Sequence, residues 1–268
     1  MLIDTNTCFG TTPTRRVAYA DVVTGARMFD EPGPADPTFQ DVDWSLENLM
    51  RIVDRHHVAR ALTYSLRGKL YDAAAGNEET WQAARQHDRL VPVATLDPRR
   101  DLRWREEIDR CLDRGFRIFR FFPDAQGWTI SALPFVRIAE ALSAHDVTVM
   151  LPAGGWGQQT AMARMLCPMG LTVVATGATF GVVAESIQVA AEHTGFFCET
   201  SAMCTGGMIE TVARRAGAHT LVFGSRSPEF SFEAPYNLVA AADISQTDRD
   251  RILGLNAAEH LLGGQQGR

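Results

Sequence analysis

Side chains that could bind and transform a small organic anion recur along this chain at the ends of short apolar runs. They are arginines, carboxylates, a thiol and other polar residues: Asn6, Cys8, Tyr64, Arg120, Asp124, Thr176, Glu199 and Arg226. An arginine binds a carboxylate or phosphate through two parallel hydrogen bonds, whereas a carboxylate or a thiol can transfer protons. The set therefore predicts anion binding beside acid–base chemistry.

Three of these residues are predicted catalytic proton carriers, namely Cys8, Asp124 and Glu199. A cation such as Arg226 could lower the pKa of Cys8 and make it a nucleophile; otherwise the thiol only fills buried volume. Asn6 lies two residues before Cys8, so the two side chains point the same way on an extended segment. Apolar surroundings could raise the pKa of either carboxylate into the range of a general acid.

The other five residues are predicted to bind substrate: Asn6, Tyr64, Arg120, Thr176 and Arg226. Arg120 and Arg226 are the candidates for holding the anion, because a guanidinium at the mouth of a site suits a carboxylate. The alternative for each arginine is a buried ion pair, with Glu199 or Asp124 as the partner of Arg226. Both interpretations stay open at this point.

The bases that many enzymes use are scarce or unfavourably placed. Lys69 is the only lysine, hence the only candidate for a Schiff base or a carbamylated metal bridge, and we expect it on the surface. Five of the seven histidines lie at a predicted helix end or just before a predicted strand: His57, His87, His145, His193 and His219. In a barrel enzyme this face is opposite the active site, so these histidines are predicted to be structural.

Eight runs rich in β-branched and aromatic residues must position these side chains. They cover residues 1–4, 59–64, 90–95, 116–121, 147–151, 171–175, 195–200 and 220–223. They lack in–out alternation, which indicates parallel strands covered on both faces, and amphipathic stretches lie between them. The chain of 268 residues is therefore predicted to be α/β, a single (β/α)8 TIM barrel over residues 1–268. A doubly wound open sheet is the alternative, without the glycine-rich turn of a dinucleotide fold.

Residues 11–43 interrupt this alternation with Pro13, Pro32, Pro34, Pro37 and several glycines and aspartates. A connection of this length inside a compact domain is usually functional or mobile. It leaves the end of the first strand, where the catalytic mouth of a barrel lies. We therefore predict a lid-like insertion here.

The composition limits the partners. The net charge of −6, from 26 basic and 32 acidic residues, disfavours nucleic acid and anionic membranes as partners. No apolar run is long enough to span a bilayer, and five cysteines without a framework spacing predict a cytoplasmic protein. A small-molecule substrate, most simply a carboxylate, is the expected partner, and a homo-oligomer is compatible with this composition.

Short motifs in chain order resemble the amidohydrolase-2 family. The first strand resembles that family's I-D-x-H-x-H-x-G pattern at residues 1–10, and residues 223–228 are similar to its F-G-S-D-x-P motif. Further similar segments are residues 88–92, 97–98, 115–120, 126–128, 200–201 and 254–257. The resemblance implies a metal-dependent barrel for hydrolysis or decarboxylation, with relatives of aminocarboxymuconate-semialdehyde decarboxylase. It also implies a carboxylate-binding role for Arg120, by similarity to the family's metal-independent lactonases.

The sequence departs from this family where the metal ligands are expected. The resemblance implies two histidines in the first strand, one histidine each in strands five and six, and an aspartate in strand eight. The matching residues here are Asn6, Cys8, Pro152, Thr176 or Gly177, and Arg226. A divalent ion needs three or four converging N, O or S donors, and Arg226 adds a fixed positive charge instead. We therefore predict a divergent member without the metal-binding residues and without a cofactor.

Three functions fit these observations. The first is a metal-independent hydrolase or lyase that acts on an ester, lactone, amide or carboxylate by acid–base catalysis. The second is a catalytically inactive barrel that serves as a binding or scaffold partner, with a mouth filled by Phe121, Phe122 or Trp156. The third is an ordinary metallohydrolase with different ligands, against which the placement of the histidines argues.

Overall fold

Eight parallel strands form one sheet in a computed structural model that describes residues 1–10, 42–70, 72–100 and 102–263. The strands β1 to β8 span Ile3–Phe9, Arg60–Ser65, Leu90–Thr95, Ile118–Arg120, Thr148–Pro152, Thr172–Thr176, Phe196–Glu199 and Leu221–Val222. Neighbours in the sheet follow chain order from β1 to β8. The predicted (β/α)8 TIM barrel is confirmed, and each of the eight predicted runs overlaps a strand.

Helices connect the strands on the outside of the sheet. The helices α1 to α12 span Leu46–Arg55, Leu66–Leu70, Ala73–Gln86, Trp104–Asp113, Pro123–Gln126, Leu133–Leu142, Gln158–Leu166, Val183–Glu192, Met208–Val212, Glu233–Ala240, Gln246–Asp250 and Asn256–His260. Short 3-10 turns cover Cys167–Met169, Phe180–Val182 and Ala218–Thr220, and π-type turns cover Ala213–Gly217 and Arg251–Leu255. Within the described part of the chain, no helix has the length and hydrophobicity that crossing a membrane requires.

The barrel closes between β1 and the segment that follows β8. Thr7 forms a parallel bridge with Ser227. The N–H of Cys8 donates to the carbonyl of Ser227 at 3.0 Å, and the N–H of Arg226 donates to the carbonyl of Asn6 at 2.8 Å. The segment after β8 therefore runs beside β1 and brings Arg226 to the mouth of the barrel.

β1 extends to Phe9, whereas the sequence predicted an end at Asp4. The predicted run ended before the polar residues Thr5, Asn6 and Thr7, but the hydroxyls of the two threonines are satisfied by neighbouring segments. The hydroxyl of Thr5 donates to the carbonyl of Phe223 at 2.8 Å, and that of Thr7 donates to the carbonyl of Leu62 at 2.9 Å. A polar residue with its hydrogen bonds made costs little when buried, so the strand continues.

The side chains that face the barrel interior form layers that lead up to its mouth. Five of the strands each contribute an apolar residue to a common interior cluster: Leu62, Ile118, Met150, Val174 and Phe197. Two residues further along the same strands are Tyr64, Arg120, Pro152, Thr176 and Glu199. Because residues two apart share a face of a strand, this second set lies one layer above the apolar one.

The predicted lid lies outside the described residues, apart from Val42 and Asp43. Those two residues lead into α1, where the hydroxyl of Ser45 accepts a hydrogen bond from the N–H of Asn48 at 3.1 Å. The lid therefore stays a sequence-based prediction.

Two glycines let α2 pack against α3 at the top of β2. A Cβ on Gly76 would lie 2.1 Å from the backbone nitrogen of Gly68, and a Cβ on Gly68 would lie 2.2 Å from the hydroxyl of Thr95. A Cβ on Gly76 could be accommodated only by moving backbone, and one on Gly68 only by moving the Thr95 side chain. This close approach fixes α2, which carries Lys69, against the barrel.

The substitution Gly76→Ala tests this packing. Its Cβ overlaps backbone that cannot swing away, so we expect the free energy of unfolding to fall by about 1–3 kcal/mol, despite the better helix propensity of alanine. Chemical denaturation measures it. Gly206→Ala is the matched control, because a Cβ there meets no atom within 4 Å. Equal stability of the two variants would contradict the packing argument.

Candidate functional site

A cavity of about 310 Å³ opens where the strands β1, β2, β4, β5 and β6 end. The residues that line it include predicted site residues and others for which no site role was predicted: Asn6, Cys8, Tyr64, Lys69, Arg120, Phe122, Asp124, Ala125, Pro152, Gly154, Thr176, Gly177, Arg226 and Glu229. We call it the mouth cavity. It brings together all the predicted site residues except Glu199, and it adds Lys69 and Glu229.

Arg120 is the most deeply placed cation of the mouth cavity, with 9% of its surface exposed. It donates from Nη1 to Oδ1 of Asn6 at 2.7 Å. Its guanidinium carbon lies 4.9 Å from the ring centre of Tyr64 and 5.2 Å from that of Phe122. Among the described residues, no carboxylate lies within salt-bridge distance of this guanidinium.

Glu199 lies behind Asn6 and anchors it. The fully buried carboxylate accepts hydrogen bonds from Nδ2 of Asn6 at 2.9 Å, from the N–H of Gly177 at 3.0 Å, and from the hydroxyl and N–H of Ser201. Gly224 allows this approach, since a Cβ there would lie 2.1 Å from Oε1 of Glu199. A carboxylate so fully bonded, and outside the mouth cavity, suits the role of a positioning residue rather than that of the predicted proton carrier.

Cys8 and Tyr64 form a neutral part of the wall. Both are buried, and burial raises the pKa of the Cys8 thiol to about 12, although the Lys69 ammonium opposes this. Burial also raises the pKa of Tyr64. The reactive form of a cysteine is its thiolate, so this environment does not favour the predicted nucleophilic role of Cys8.

Arg226 pairs with Glu229, which was not among the predicted site residues. It donates from Nη2 to Oε1 of Glu229 at 2.8 Å, and its guanidinium lies 4.3 Å from the ring centre of Phe230. The prediction of Glu199 or Asp124 as its partner is therefore wrong. Arg226 has a positive φ of 60°, so the chain turns back and brings residues 226 and 229 together. Asp124 is exposed at the rim of the mouth cavity, on α5.

Lys69 is half-buried and lines the mouth cavity, so the expectation of a surface lysine is wrong. Its ammonium lies 5.1 Å from the ring centre of Phe122. The amide of Gln126 donates to the carbonyl of Lys69 at 3.0 Å, which ties α2 to α5. Burial lowers the pKa of Lys69. The signal in the sequence was its position just after β2, at the same end as the other site residues.

Thr176 contributes one hydroxyl group to the wall of the mouth cavity. It is buried at the end of β6, and its hydroxyl donates to the carbonyl of Leu151 at 3.3 Å. The oxygen keeps its capacity to accept a hydrogen bond from a ligand.

Asp4 lies beneath the mouth cavity in the seam between β1 and the segment after β8. The buried carboxylate accepts hydrogen bonds from the N–H groups of Asn6 at 3.1 Å and Ser225 at 2.9 Å, and from the hydroxyl of Ser225. Burial raises the pKa of Asp4 from 3.8 to about 7, although the hydrogen bonds from Ser225 and Asn6 oppose the rise. This titration could not be predicted from the sequence, because the burial that raises the pKa depends on a segment 221 residues away in the chain.

Comparison with protein-family models decides the family. The model of Amidohydro_2, described as amidohydrolase, matches residues 30–261. The chain belongs to the amidohydrolase family. A search of curated proteins gives no match to this amidohydrolase-family chain.

Solved structures share the fold of this amidohydrolase-family chain at low identity. A 2,6-dihydroxybenzoate decarboxylase with bound 2,6-dihydroxybenzoate aligns at a TM-score of 0.72 and 14% identity, covering 96% of this chain and 98% of that one. A 5-carboxyvanillate decarboxylase from Novosphingobium aromaticivorans, with manganese and a nitrobenzoic acid, aligns at 0.72 and 15%, covering 97% and 96%. A probable 2-pyrone-4,6-dicarboxylic acid hydrolase from Acinetobacter baumannii, with citric acid, aligns at 0.67 and 14%, covering 97% and 98%.

The mouth cavity of this amidohydrolase-family chain has a poor donor set for a divalent metal ion. The residues that the sequence resemblance places at the family's ligand positions include an arginine, a proline and a buried thiol with a raised pKa. Over the described ranges, no three His, Cys, Asp or Glu side chains lie close enough to hold an ion together. A metal therefore does not fit the residues of this site.

The raised pKa of Asp4 predicts a pH dependence of stability in this amidohydrolase-family chain. Between about pH 4 and pH 7, Asp4 is protonated in the folded chain but ionised in the unfolded chain, so stability falls as pH rises. The substitution Asp4→Asn keeps the shape of the side chain and removes its titratable group. As the pH rises between those limits, we expect the free energy of unfolding of the variant to increase by up to about 4 kcal/mol relative to that of the parent.

Urea denaturation of both proteins at about pH 5 and about pH 8 measures this difference. Asp109→Asn, at an exposed position on α4, is the control with no expected change. A difference between parent and Asp4→Asn that is the same at both pH values would contradict the assigned titration.

Proposed function

We propose that this chain binds a small organic carboxylate in the mouth cavity and acts on it as a metal-independent hydrolase or lyase. The observation that carries the proposal is the environment of Arg120. Its guanidinium is nine-tenths buried and donates a hydrogen bond to the amide oxygen of Asn6, and no carboxylate among the described residues accepts one from it. A buried positive charge without a counter-ion is costly, and an anionic ligand removes that cost.

The rest of the mouth cavity supports an anion of modest size. Lys69, Arg120 and Arg226 face it with positive charge, while Asp124 and Glu229 supply negative charge, and Glu229 already pairs with Arg226. The rings of Tyr64 and Phe122 form an apolar wall. The volume of about 310 Å³ is at the small end of ligand sites. The solved relatives hold dihydroxybenzoate, a nitrobenzoic acid and citric acid, all of which are carboxylates.

One acid–base group for such a reaction lies at the rim of the mouth cavity. Asp124 is exposed beside the mouth cavity and can exchange protons with water, so we retain it as a proton carrier. Glu199 takes the role of a positioning residue, because it fixes the amide of Asn6 that contacts Arg120. Cys8, which the sequence predicted as a proton carrier, instead takes the role of a neutral group in the wall of the cavity.

The scaffold alternative is less well supported. It requires that aromatic side chains fill the mouth. Phe121 packs instead against Trp128 and Phe135 on the outside of the sheet, and Trp156 is 71% exposed. Phe122 lines the mouth cavity without filling it. An open, polar cavity favours ligand binding over a purely structural role.

Substituting Arg120 by Met tests the anion site. Charge-assisted hydrogen bonds contribute about 1.5–3 kcal/mol, so we expect the affinity for small carboxylic acids, benzoate and citrate among them, to fall roughly 10- to 100-fold. The free energy of unfolding without ligand should change by less than about 1 kcal/mol, because an unpaired buried charge is removed. Calorimetric titration and denaturation give the two values.

Arg137→Met is the matched control, because it removes one arginine that pairs with Glu140 on the exposed face of α6. It should bind the same acids as the parent does. Parental affinity in Arg120→Met would refute the proposed anion site, and so would failure of the parent to bind any small carboxylate.

Metal independence has its own test. Protein purified without added metal should contain far less than one equivalent of zinc, manganese or iron by elemental analysis, because the donor set does not hold an ion. Ligand binding should survive prolonged dialysis against a chelator. A full equivalent of metal that is required for ligand binding would overturn this part of the proposal.

A further inference from the structure

Lys69 is the one primary amine that a side chain of this protein offers, and it faces the mouth cavity. Its ammonium contacts the face of the Phe122 ring at 5.1 Å, and no described carboxylate lies within salt-bridge distance of it. A lysine that served only solubility would extend into water. This one points into the cavity where Arg120 also lies.

The surroundings of Lys69 shift its protonation equilibrium toward the neutral amine. Burial lowers the pKa of Lys69, and the positive charges of Arg120 and Arg226 act in the same direction. Glu229 and Cys8 oppose this change, and Asp124 lines the same cavity without contacting the ammonium. A neutral amine is the nucleophilic form of lysine, and a neighbouring cation with an apolar wall is a known way to produce it.

The backbone that carries Lys69 is held from two sides. Gly68 and Gly76 bring α2 into contact with α3, and the amide of Gln126 binds the carbonyl of Lys69. Lys69 and Arg120 both lie about 5 Å from the ring centre of Phe122, so they are at most about 10 Å apart. A molecule of a few carbon atoms can therefore contact both groups at once.

We propose that Lys69 is a nucleophile that forms a Schiff base with the carbonyl group of a small oxo carboxylate, whose carboxylate group binds Arg120. This inference rests on the proposed function and specifies its substrate class, a 3-oxo acid. It also specifies the reaction class, a lyase reaction that removes CO2.

The steps balance without a metal or a redox partner. The lone pair of neutral Nζ attacks the carbonyl carbon and the π electrons move to oxygen. The oxygen leaves as water with one proton from Nζ and one that Asp124 relays from solvent, and an iminium ion remains. The bond between the carboxylate carbon and its neighbour breaks, CO2 leaves, and the electron pair moves through carbon to the iminium nitrogen, which gives an enamine. A second proton from solvent adds to carbon, and water hydrolyses the new iminium to release a ketone, the free amine and the first proton.

Reductive trapping tests the assignment on the full-length protein. The probe is acetoacetate with sodium cyanoborohydride, and mass spectrometry locates the adduct. We expect one reduced acetoacetate or acetone group on the peptide that contains Lys69, formed at least tenfold faster than on the terminal amine of Met1. Its rate should rise with pH around a midpoint below the ordinary lysine value of about 10.4.

Lys69→Arg is the matched variant, since it keeps a long basic side chain and removes the primary amine. It should lose the adduct, whereas the control Arg137→Met, on the exposed face of α6, should form it at the parental rate. Labelling of Lys69 no faster than that of the terminus, in protein that binds benzoate through Arg120, would overturn the Schiff base and leave the proposed function intact.

The reverse result is equally distinct. Rapid labelling of Lys69 that is unchanged in Arg120→Met would support the reactive amine and refute the carboxylate site at Arg120. Absence of both labelling and carboxylate binding would overturn both inferences.

Discussion

The site depends on one chain of buried polar contacts, from the Glu199 carboxylate through the Asn6 amide to the Arg120 guanidinium. The carboxylate fixes which end of the amide faces it, so the amide oxygen must face Arg120. The amide separates the two charges, and the guanidinium is held in place without being neutralised. Three strands that are distant in sequence, β1, β4 and β7, are thereby joined at the mouth of the barrel.

The three basic side chains of the mouth cavity have different surroundings, although each can carry one positive charge. Arg226 is neutralised by Glu229, Arg120 is hydrogen-bonded to a neutral amide, and Lys69 is desolvated against Phe122. A metal centre concentrates its charge at one point, whereas here the charge is distributed over side chains with separate partners. On our proposal this division lets one group hold an anion while another is free to react.

Much of the fold and part of the site follow from the sequence. The place of Arg120 could be predicted because it lies two residues beyond an interior residue of the same short strand, and strand periodicity is local. The full length of β1 could not, because Thr5 and Thr7 are satisfied by carbonyls on other strands. The inward position of Lys69 also escaped prediction, since it depends on the close approach of two helices. The pairing of Glu229 depends on one positive φ, which sequence patterns do not reveal.

The seam that closes the barrel has a consequence for biosynthesis. The carboxylate of Asp4 binds Ser225, so groups 221 residues apart in the chain must meet before the first strand is covered on both sides. During translation, the first strand therefore keeps one unpaired edge until the segment after β8 has been synthesised.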